Sequence, residues 1–181
     1  MKKLLFIFVV LLATGNVSAQ INWMTIDEAL EAQKTNPKKI MMDVYTVWCG
    51  PCKLLDKNTF QNPDVAAYVN ENYYAVKFNG EGNGEVNYLG NTFTNPKYDP
   101  AKSKSRNYPH QFASYLRVRA YPTIVFFDES SNLITGLAGY LKPQQLELYL
   151  KLFVDDTYKT VGTDKKAWAD CQRNFVAEFK G

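Results

Sequence analysis

The stretch Trp48-Cys49-Gly50-Pro51-Cys52 decides how this chain folds and what chemistry it can carry out. It places two thiols three residues apart, directly after an apolar run and at the start of a helical pattern. At that spacing both sulfur atoms lie on one face of the first helical turn, close enough to alternate between a dithiol and a disulfide. The stretch therefore predicts a thiol–disulfide centre at the start of a helix.

The two cysteines of this motif are predicted to have different roles. A thiol attacks a disulfide only as the thiolate, and the N–H groups at a helix N-terminus stabilise that anion. Cys49 is therefore the predicted nucleophile, exposed beside bulky Trp48 at the lip of the site, and Cys52 is predicted to resolve the mixed disulfide. Pro51 suits a first helical turn, where its missing donor would be unpaired anyway, and Gly50 lets a substrate chain approach closely.

Cysteine usage supports a redox role for the pair. The chain holds only three cysteines, Cys49, Cys52 and Cys171, whereas a scaffold held together by disulfides would carry many more. Zinc binding is the alternative, but zinc needs four ligands and only Cys171 and His110 remain as candidates, so no metal is predicted. Cys171 is predicted to be a buried, inert thiol, with a third redox cysteine as the alternative. His110 is predicted to be a surface or capping residue without a role in catalysis.

Further motifs, in the right order, resemble the thioredoxin family between residues 40 and 153. The cysteine motif and Lys53 after it match the active site of that family. Asp43 stands six residues before the first cysteine, where the family carries a buried acid, and Lys77 resembles the lysine set against that acid. Tyr121-Pro122 resembles the cis-proline loop. The resemblance implies an α/β thioredoxin fold, with a central mixed β-sheet flanked by helices.

The resemblance also implies roles for the residues around the pair. An unpaired carboxylate at Asp43, inside an apolar strand, would cost several kcal/mol, so a raised pKa and uptake of a proton from Cys52 are expected. A structural ion pair with Lys77 is the alternative. The cis-proline loop would offer backbone groups to an extended substrate, unless it is an ordinary trans turn. The residues expected to contact substrate are Trp48, Gly50, Pro51, Tyr121 and Pro122.

Residues 1–19 have the three parts of a secretory signal peptide: a basic start, an apolar core and small residues before the expected cleavage site at Gln20. The apolar core is shorter than the ~20 residues that span a bilayer, so no stable membrane insertion is expected. Cleavage of the signal peptide would remove Lys2 and Lys3 and lower the formal charge from +3 towards neutrality. A nearly neutral protein argues against nucleic acid as a partner. Export is expected, to the periplasm if the source is Gram-negative and otherwise by secretion.

Residues 20–181 are predicted to form a single thioredoxin-like domain, with an insertion at about 80–107 and a C-terminal extension at about 155–181. A helical connection makes the strands at 40–45 and 74–79 parallel neighbours. The other predicted elements are strands at 123–127 and 133–137 and helices at 25–36, 49–58, 109–116, 143–153 and 165–179, with one more beginning at 62.

The insertion after the strand at 74–79 is rich in glycine and asparagine. Its spacing superficially resembles a calcium loop, but Gly90 occupies the twelfth position, where a bidentate glutamate is required, so calcium is rejected. Because this strand is parallel to the one that leads to Cys49, both end at one edge of the sheet, where the insertion can shape substrate access. Its aromatic and basic side chains could grip a partner or belong to an ordered surface loop.

Together these features predict an exported, monomeric thiol–disulfide oxidoreductase that reduces disulfides in other exported proteins. It is predicted to need no cofactor beyond the Cys49–Cys52 pair and to be regenerated by a membrane thiol-reductant donor. The direction is implied by resemblance, since Gly50-Pro51 matches reducing thioredoxins. Residues 59–65 are similar to periplasmic thioredoxin-like proteins and to the soluble domain of membrane thiol-reductant transporters. Two alternatives stay open: a disulfide isomerase or oxidase, and a non-catalytic protein that recognises partners through the insertion.

Overall fold

A five-stranded mixed sheet forms the centre of the fold in the computed structural model, which describes residues 20–181. The predicted signal peptide, residues 1–19, lies outside the described residues. The strands in chain order are β1 (Trp23–Met24), β2 (Lys39–Tyr45), β3 (Tyr73–Asn79), β4 (Val86–Tyr88), β5 (Asn91–Phe93), β6 (Thr123–Phe127) and β7 (Leu133–Ala138). The central sheet has the order β1-β3-β2-β6-β7, and β4 pairs with β5 in a separate hairpin.

Helices cover both faces of this sheet. In chain order they are α1 (Ile26–Thr35), α2 (Gly50–Leu55), α3 (Pro63–Asn72), α4 (Gln111–Tyr115), α5 (Pro143–Val154), α6 (Thr157–Val161) and α7 (Lys165–Asn174). Residues of α3 and α5 pack on one face, and residues of α1 and α4 pack on the other. The predicted fold class, a mixed sheet flanked by helices, is confirmed.

Strand β2 lies in the middle of the sheet and contributes side chains to the hydrophobic core on both faces. Every residue of β2 except the last is buried. Its side chains alternate between two layers, so that Met41 packs with α3 and α5 while Met42 packs with α1 and α4. A central strand can therefore be apolar almost throughout, and Asp43 interrupts it as a charged residue between two core layers.

Strands β2 and β3 run parallel in a register that places Asp43 opposite Lys77. The helix α3 makes the crossover that the sequence predicted between these strands. It begins at a well-formed cap, since the side chain of Asn62 accepts the N–H groups of Asp64 at 3.0 Å and Val65 at 3.2 Å. The local sequence at this cap therefore fixes where the crossover starts, and the crossover brings the acid and the lysine together.

The capping box predicted for α1 is present at its first turn. The hydroxyl of Thr25 accepts the N–H of Glu28 at 3.2 Å, and the carboxylate of Glu28 accepts the N–H of Thr25 at 2.7 Å. The helix ends at Thr35 because Pro37 disfavours a helical conformation at Asn36. Both predicted ends of this helix are confirmed.

The end of the C-terminal helix was predicted wrongly. Helix α7 stops at Asn174, five residues before the expected end at Phe179. The buried carboxylate of Glu147 accepts the backbone N–H groups of Glu178 and Phe179, both at 2.9 Å, and thereby draws the tail into an extended path. Cys171 is half-buried rather than buried, because α7 packs on the surface and contributes no fully buried residue.

The insertion is more ordered than its turn-rich sequence suggested. It contains the hairpin of β4 and β5 and a short 3-10 turn at Pro100–Lys102. Val86 and Tyr88 of this hairpin are buried against the face that carries α1 and α4. Within residues 20–181, no helix has the length and apolar character needed to cross a membrane.

Candidate active site

Cys49 and Cys52 form a disulfide at the start of α2, with their Cα atoms 5.3 Å apart. Cys49 is the cap residue of this helix, and its Sγ accepts the N–H of Cys52 at 3.1 Å. Pro51 occupies the first turn, as its missing N–H allows. The helix continues directly into a π-helical turn, Asp56–Phe60. The predicted position of the pair at a helix start is therefore present, with the backbone N–H of Cys52 directed at the first sulfur.

The structure contradicts the expectation that Cys49 is exposed. In this disulfide form Cys49 is only 2% exposed and Cys52 5%. The Sγ of Cys49 faces its partner sulfur and the N–H of Cys52 instead of solvent. Gly50 and Pro51 are exposed and form the accessible surface of the motif.

Beside the pair, Asp43, Lys77 and Asp56 form a charged cluster. The Nζ of Lys77 lies 3.0 Å from Oδ2 of Asp43 and 2.6 Å from Oδ1 of Asp56. The first contact is an ion pair without good hydrogen-bond geometry, since among the described residues neither oxygen of Asp43 has a hydrogen-bond partner. A cavity of about 210 Å³ is lined by these three residues and by Cys52. The acid and the second cysteine therefore share one small space.

The cluster shifts the pKa values of its members. Burial raises the pKa of Asp43 above its ordinary value near 3.8, and the negative charge of Asp56 adds to this, so the opposing effect of Lys77 is outweighed. For Lys77, burial acts to lower the pKa, but the two carboxylates together raise it. Lys77 therefore stays charged, and the Asp43 carboxyl keeps its proton to a higher pH than an exposed aspartate does.

Three aromatic rings surround the ammonium group of Lys77. Its Nζ lies 4.6 Å from the ring centre of Trp23, 5.3 Å from that of Phe60 and 5.5 Å from that of Tyr45. The faces of aromatic rings attract cations, so these contacts hold the ammonium against the carboxylates. Lys77 is therefore fixed in position although its side chain is partly exposed.

The loop before β6 lies opposite Trp48. The Tyr121–Pro122 peptide bond is cis. The rings of Trp48 and Tyr121 meet edge to face with centres 6.2 Å apart, and the Tyr121 hydroxyl donates to the carbonyl of Gly80 at 3.2 Å. A Cβ atom on Gly80 would lie 2.6 Å from Cε1 of Tyr121, so only glycine leaves room for this ring.

The insertion reaches this same edge of the sheet. The indole Nε1 of Trp48 donates to Oε2 of Glu81 at 2.7 Å, and the same oxygen accepts the N–H of Asn107 at 2.8 Å. The guanidinium carbon of Arg106 lies 4.5 Å from the centre of the Trp48 ring. Both ends of the insertion therefore contact the residue that precedes Cys49, as the parallel strands predicted.

Sequence reasoning missed Asp56 and Glu81; it named Arg106 as one of the basic residues of the insertion that could grip a partner, but did not connect it with Trp48. Asp56 lies four residues after Cys52, so helical spacing could have placed it near the site. Glu81 and Arg106 are separated from Trp48 by more than thirty residues, and no local pattern joins them to it. Their position depends on how the insertion folds back.

His110 caps a helix as expected but does not lie on the surface. It is fully buried; its Nδ1 accepts the N–H of Phe112 at 3.0 Å, and its Nε2 donates to the carbonyl of Gly84 at 2.7 Å. Because Nδ1 accepts, the proton of the neutral ring is on Nε2. Burial lowers the pKa of His110. This residue connects α4 to the insertion.

A model of the thioredoxin-like domain family matches residues 26–153. The chain belongs to the thioredoxin-like family. The chain is 26% identical to the thiol:disulfide interchange protein DsbD of Pectobacterium atrosepticum over 120 residues, and this stretch covers 65% of the chain and 17% of that relative. The chain thus spans only a small part of the length of this curated relative.

Solved structures of thioredoxin-like proteins share the same fold. A thioredoxin from Thermus thermophilus superposes with a TM-score of 0.56 at 14% identity, over 78% of this chain and 93% of that one. A thioredoxin-fold protein from Helicobacter pylori gives 0.55 at 19% identity, over 76% and 82%. At these identities the likeness establishes the fold alone. The likeness of fold agrees with the family match, and the Cys49–Cys52 disulfide lies within the matched residues.

Proposed function

We propose that this protein is an exported protein-disulfide reductase that acts through Cys49 and Cys52. The observation that carries the proposal is the disulfide between these residues at a helix start, with Cys52 and the buried Asp43 lining one cavity. This arrangement supplies a nucleophile, a resolving thiol and a proton acceptor.

In the first step the Cys49 thiolate attacks one sulfur of a substrate disulfide. A new bond forms between Cys49 and that sulfur, the substrate disulfide breaks, and the other substrate sulfur leaves as a thiolate. In the disulfide form the N–H of Cys52 points at Sγ of Cys49. In the reduced form the same N–H would stabilise the attacking thiolate. Trp48 and the loop at Tyr121 flank the incoming chain, and that loop offers backbone groups to it.

In the second step Cys52 resolves the mixed disulfide. Asp43, as a carboxylate, takes the proton of the Cys52 thiol, and the resulting thiolate attacks Sγ of Cys49. The second substrate sulfur leaves, and the Cys49–Cys52 disulfide forms, so two electrons have passed from the protein to the substrate. The raised pKa of Asp43 brings its proton affinity closer to that of a thiol, which favours this transfer.

Renewed turnover needs a dithiol donor, and a membrane thiol-reductant protein is the proposed source. It would transfer two electrons to the Cys49–Cys52 disulfide and become oxidised itself. The likeness to part of a thiol:disulfide interchange protein supports exchange of this kind with a second protein. The proposal also includes export directed by residues 1–19, to the periplasm in a Gram-negative source, and a monomeric protein without a further cofactor.

The direction of the reaction is tested by equilibration with glutathione. Gly50 and Pro51 between the cysteines favour a reducing pair, for which a potential on the order of −270 mV is expected. A potential near about −120 mV, as in strongly oxidising catalysts, would overturn the reductase assignment in favour of disulfide formation.

Catalysis itself is tested by reduction of insulin disulfides with excess dithiothreitol. The wild-type protein is expected to accelerate the reaction, Cys49→Ser to abolish the acceleration, and Cys52→Ser to accumulate mixed disulfides with the substrate. A wild-type protein that binds partners without measurable turnover would instead favour the non-catalytic alternative.

A further inference from the structure

A groove of about 470 Å³ lies between the insertion and the cis-proline loop. Its lining includes Trp48, Glu81, Arg106, Arg119 and Tyr121, and we call it the basic groove. Trp48 precedes Cys49 in the chain, so the groove adjoins the reacting pair. A substrate segment that reaches Cys49 in an extended conformation, at about 3.3 Å per residue, would pass over the groove within a few residues of its own cysteine.

The charges presented by the basic groove are positive. Glu81 is 7% exposed, and one of its oxygens already accepts the N–H groups of Trp48 and Asn107. Arg106 and Arg119 are exposed. Within residues 20–181 no carboxylate lies within ion-pair distance of either guanidinium. One oxygen of the groove's acid is therefore occupied, and its two cations, which outnumber that single acid, are available to a ligand.

Arg106 is held in position before any substrate arrives. Its guanidinium carbon lies 4.5 Å from the Trp48 ring centre, and that ring is fixed by the hydrogen bond to Glu81 and by the edge of Tyr121. A guanidinium stacked on a ring keeps its N–H groups free for a carboxylate, which it can bind through two parallel hydrogen bonds. Because the side chain is already ordered, less entropy is lost when the carboxylate binds.

We propose that the basic groove selects disulfides whose flanking residues are acidic, with Arg106 as the principal contact and Arg119 as the second. The occupant is an acidic, extended segment of the substrate polypeptide. Exposed Lys97 and Lys104 of the same insertion extend the positive field and favour the approach of such a segment. The inference rests on the proposed reductase function and adds to it a class of substrate.

The test uses three peptide disulfides that differ only in the residues next to one cysteine: aspartate, lysine or serine. The kcat/KM for their reduction is measured with the full chain and excess dithiothreitol at low and high salt. At low salt the aspartate peptide is expected to be reduced about three- to tenfold faster than the lysine peptide, and added salt should bring the ratio towards one.

Variants assign the preference to the groove. Arg106→Glu is expected to invert the preference, and Arg119→Gln to weaken it. Arg173→Glu on α7 makes the same charge change at an exposed site outside the groove, and the preference for aspartate should survive it. Retention of the full preference in Arg106→Glu would overturn the assignment to this groove.

The outcomes separate this inference from the proposed function. Equal rates for all three peptides, or a preference insensitive to salt, would refute the basic groove while leaving the reductase intact. Failure to reduce any of the peptides would refute the reductase proposal; the groove would then be tested by titrating the aspartate and lysine peptides against the protein, and equal affinities would refute it.

Discussion

Lys77 lies directly opposite Asp43 on the neighbouring parallel strand, and its ammonium nitrogen is 3.0 Å from the Asp43 carboxylate. The same nitrogen contacts Asp56 at 2.6 Å, so two acids share one cation. Two carboxylates that share one cation cannot both be fully neutralised by it. The more deeply buried acid, Asp43, therefore has its pKa raised by burial, and Asp56 raises it further.

Replacement of Asp43 by asparagine is expected to make the protein more stable and less active. The change removes a carboxylate whose charged form is disfavoured by burial, while Lys77 keeps its contact with Asp56, so the free energy of unfolding at pH 7 should rise. It also removes the proposed proton acceptor for Cys52, so turnover should fall by about 10²-fold. Urea unfolding and insulin reduction measure the two effects. A loss of stability without a loss of turnover would contradict the proposed role.

The stabilising effect of Asp43→Asn should grow as the pH rises. The folded protein holds the Asp43 proton to a higher pH than the unfolded chain does, because burial raises the pKa. The stability that the protonated acid contributes is thus complete below about pH 3.8 and is lost as the pH rises through the folded value. The free energies of unfolding of the wild type and of Asp43→Asn, measured from below pH 3.8 upwards, give the stabilising effect at each pH. If the two free energies changed with pH in parallel, the pKa of Asp43 would not be raised.

Replacement of Asp56 by asparagine is expected to lower the pKa of Asp43. The negative charge of Asp56 favours the protonated form of its neighbour, and its removal also leaves Lys77 to Asp43 alone. The pH profile of the Cys52 step should therefore move to lower pH, which is measured by the rate at which the second substrate thiol is released from the mixed disulfide in protein that keeps Cys52. Glu71→Gln removes an exposed acid of α3 and serves as the control, with no expected displacement of the profile.

Replacement of Gly80 by alanine is expected to displace Tyr121. The new Cβ atom would lie 2.6 Å from Cε1 and 2.8 Å from the hydroxyl of that ring, which should cost about 1–3 kcal/mol of stability and reduce turnover. Gly84→Ala is the matched control, since nothing lies within 4 Å of its Cβ position.

A double-mutant cycle tests whether Tyr121 is the cause. If it is, Gly80→Ala should cost less in a Tyr121→Ala background, because the obstructing ring is gone. Equal costs in the two backgrounds would show that the strain arises elsewhere.

Protonation of His110 is expected to destabilise the protein in mild acid. Burial holds the pKa of this residue below its ordinary value near 6.5, so the unfolded chain binds the proton more readily. The stability that the neutral His110 ring contributes is fully present above about pH 6.5. It is lost as the pH falls from there through the lower pKa of His110 in the folded protein. His110 is the single histidine of the chain. His110→Asn keeps a capping acceptor without this titration, and its unfolding curve should lose the decline.

Most of the fold and the centre of the site follow from local patterns in the amino-acid sequence. The cysteine spacing, the capping residues at Thr25 and Asn62 and the apolar runs each act within a few residues, where helix and strand geometry leaves little choice. The pairing of Asp43 with Lys77 was expected from the resemblance to the thioredoxin family, and the parallel register of their strands agrees with it.

The surroundings of that centre depend on how the chain packs in three dimensions. The burial of Cys49, the sharing of Lys77 with Asp56, the contacts of Glu81 and Arg106 with Trp48 and the early end of α7 all differ from, or go beyond, the local pattern. Cys49 is buried in the disulfide form because its sulfur faces Cys52, and the other contacts join parts of the chain that are distant in sequence. The Lys77–Asp56 contact depends on where the turn after α2 lies beside β3, the contacts of Glu81 and Arg106 on the path of the insertion, and the end of α7 on the path of the C-terminal tail. The spacing of neighbouring residues encodes none of these paths.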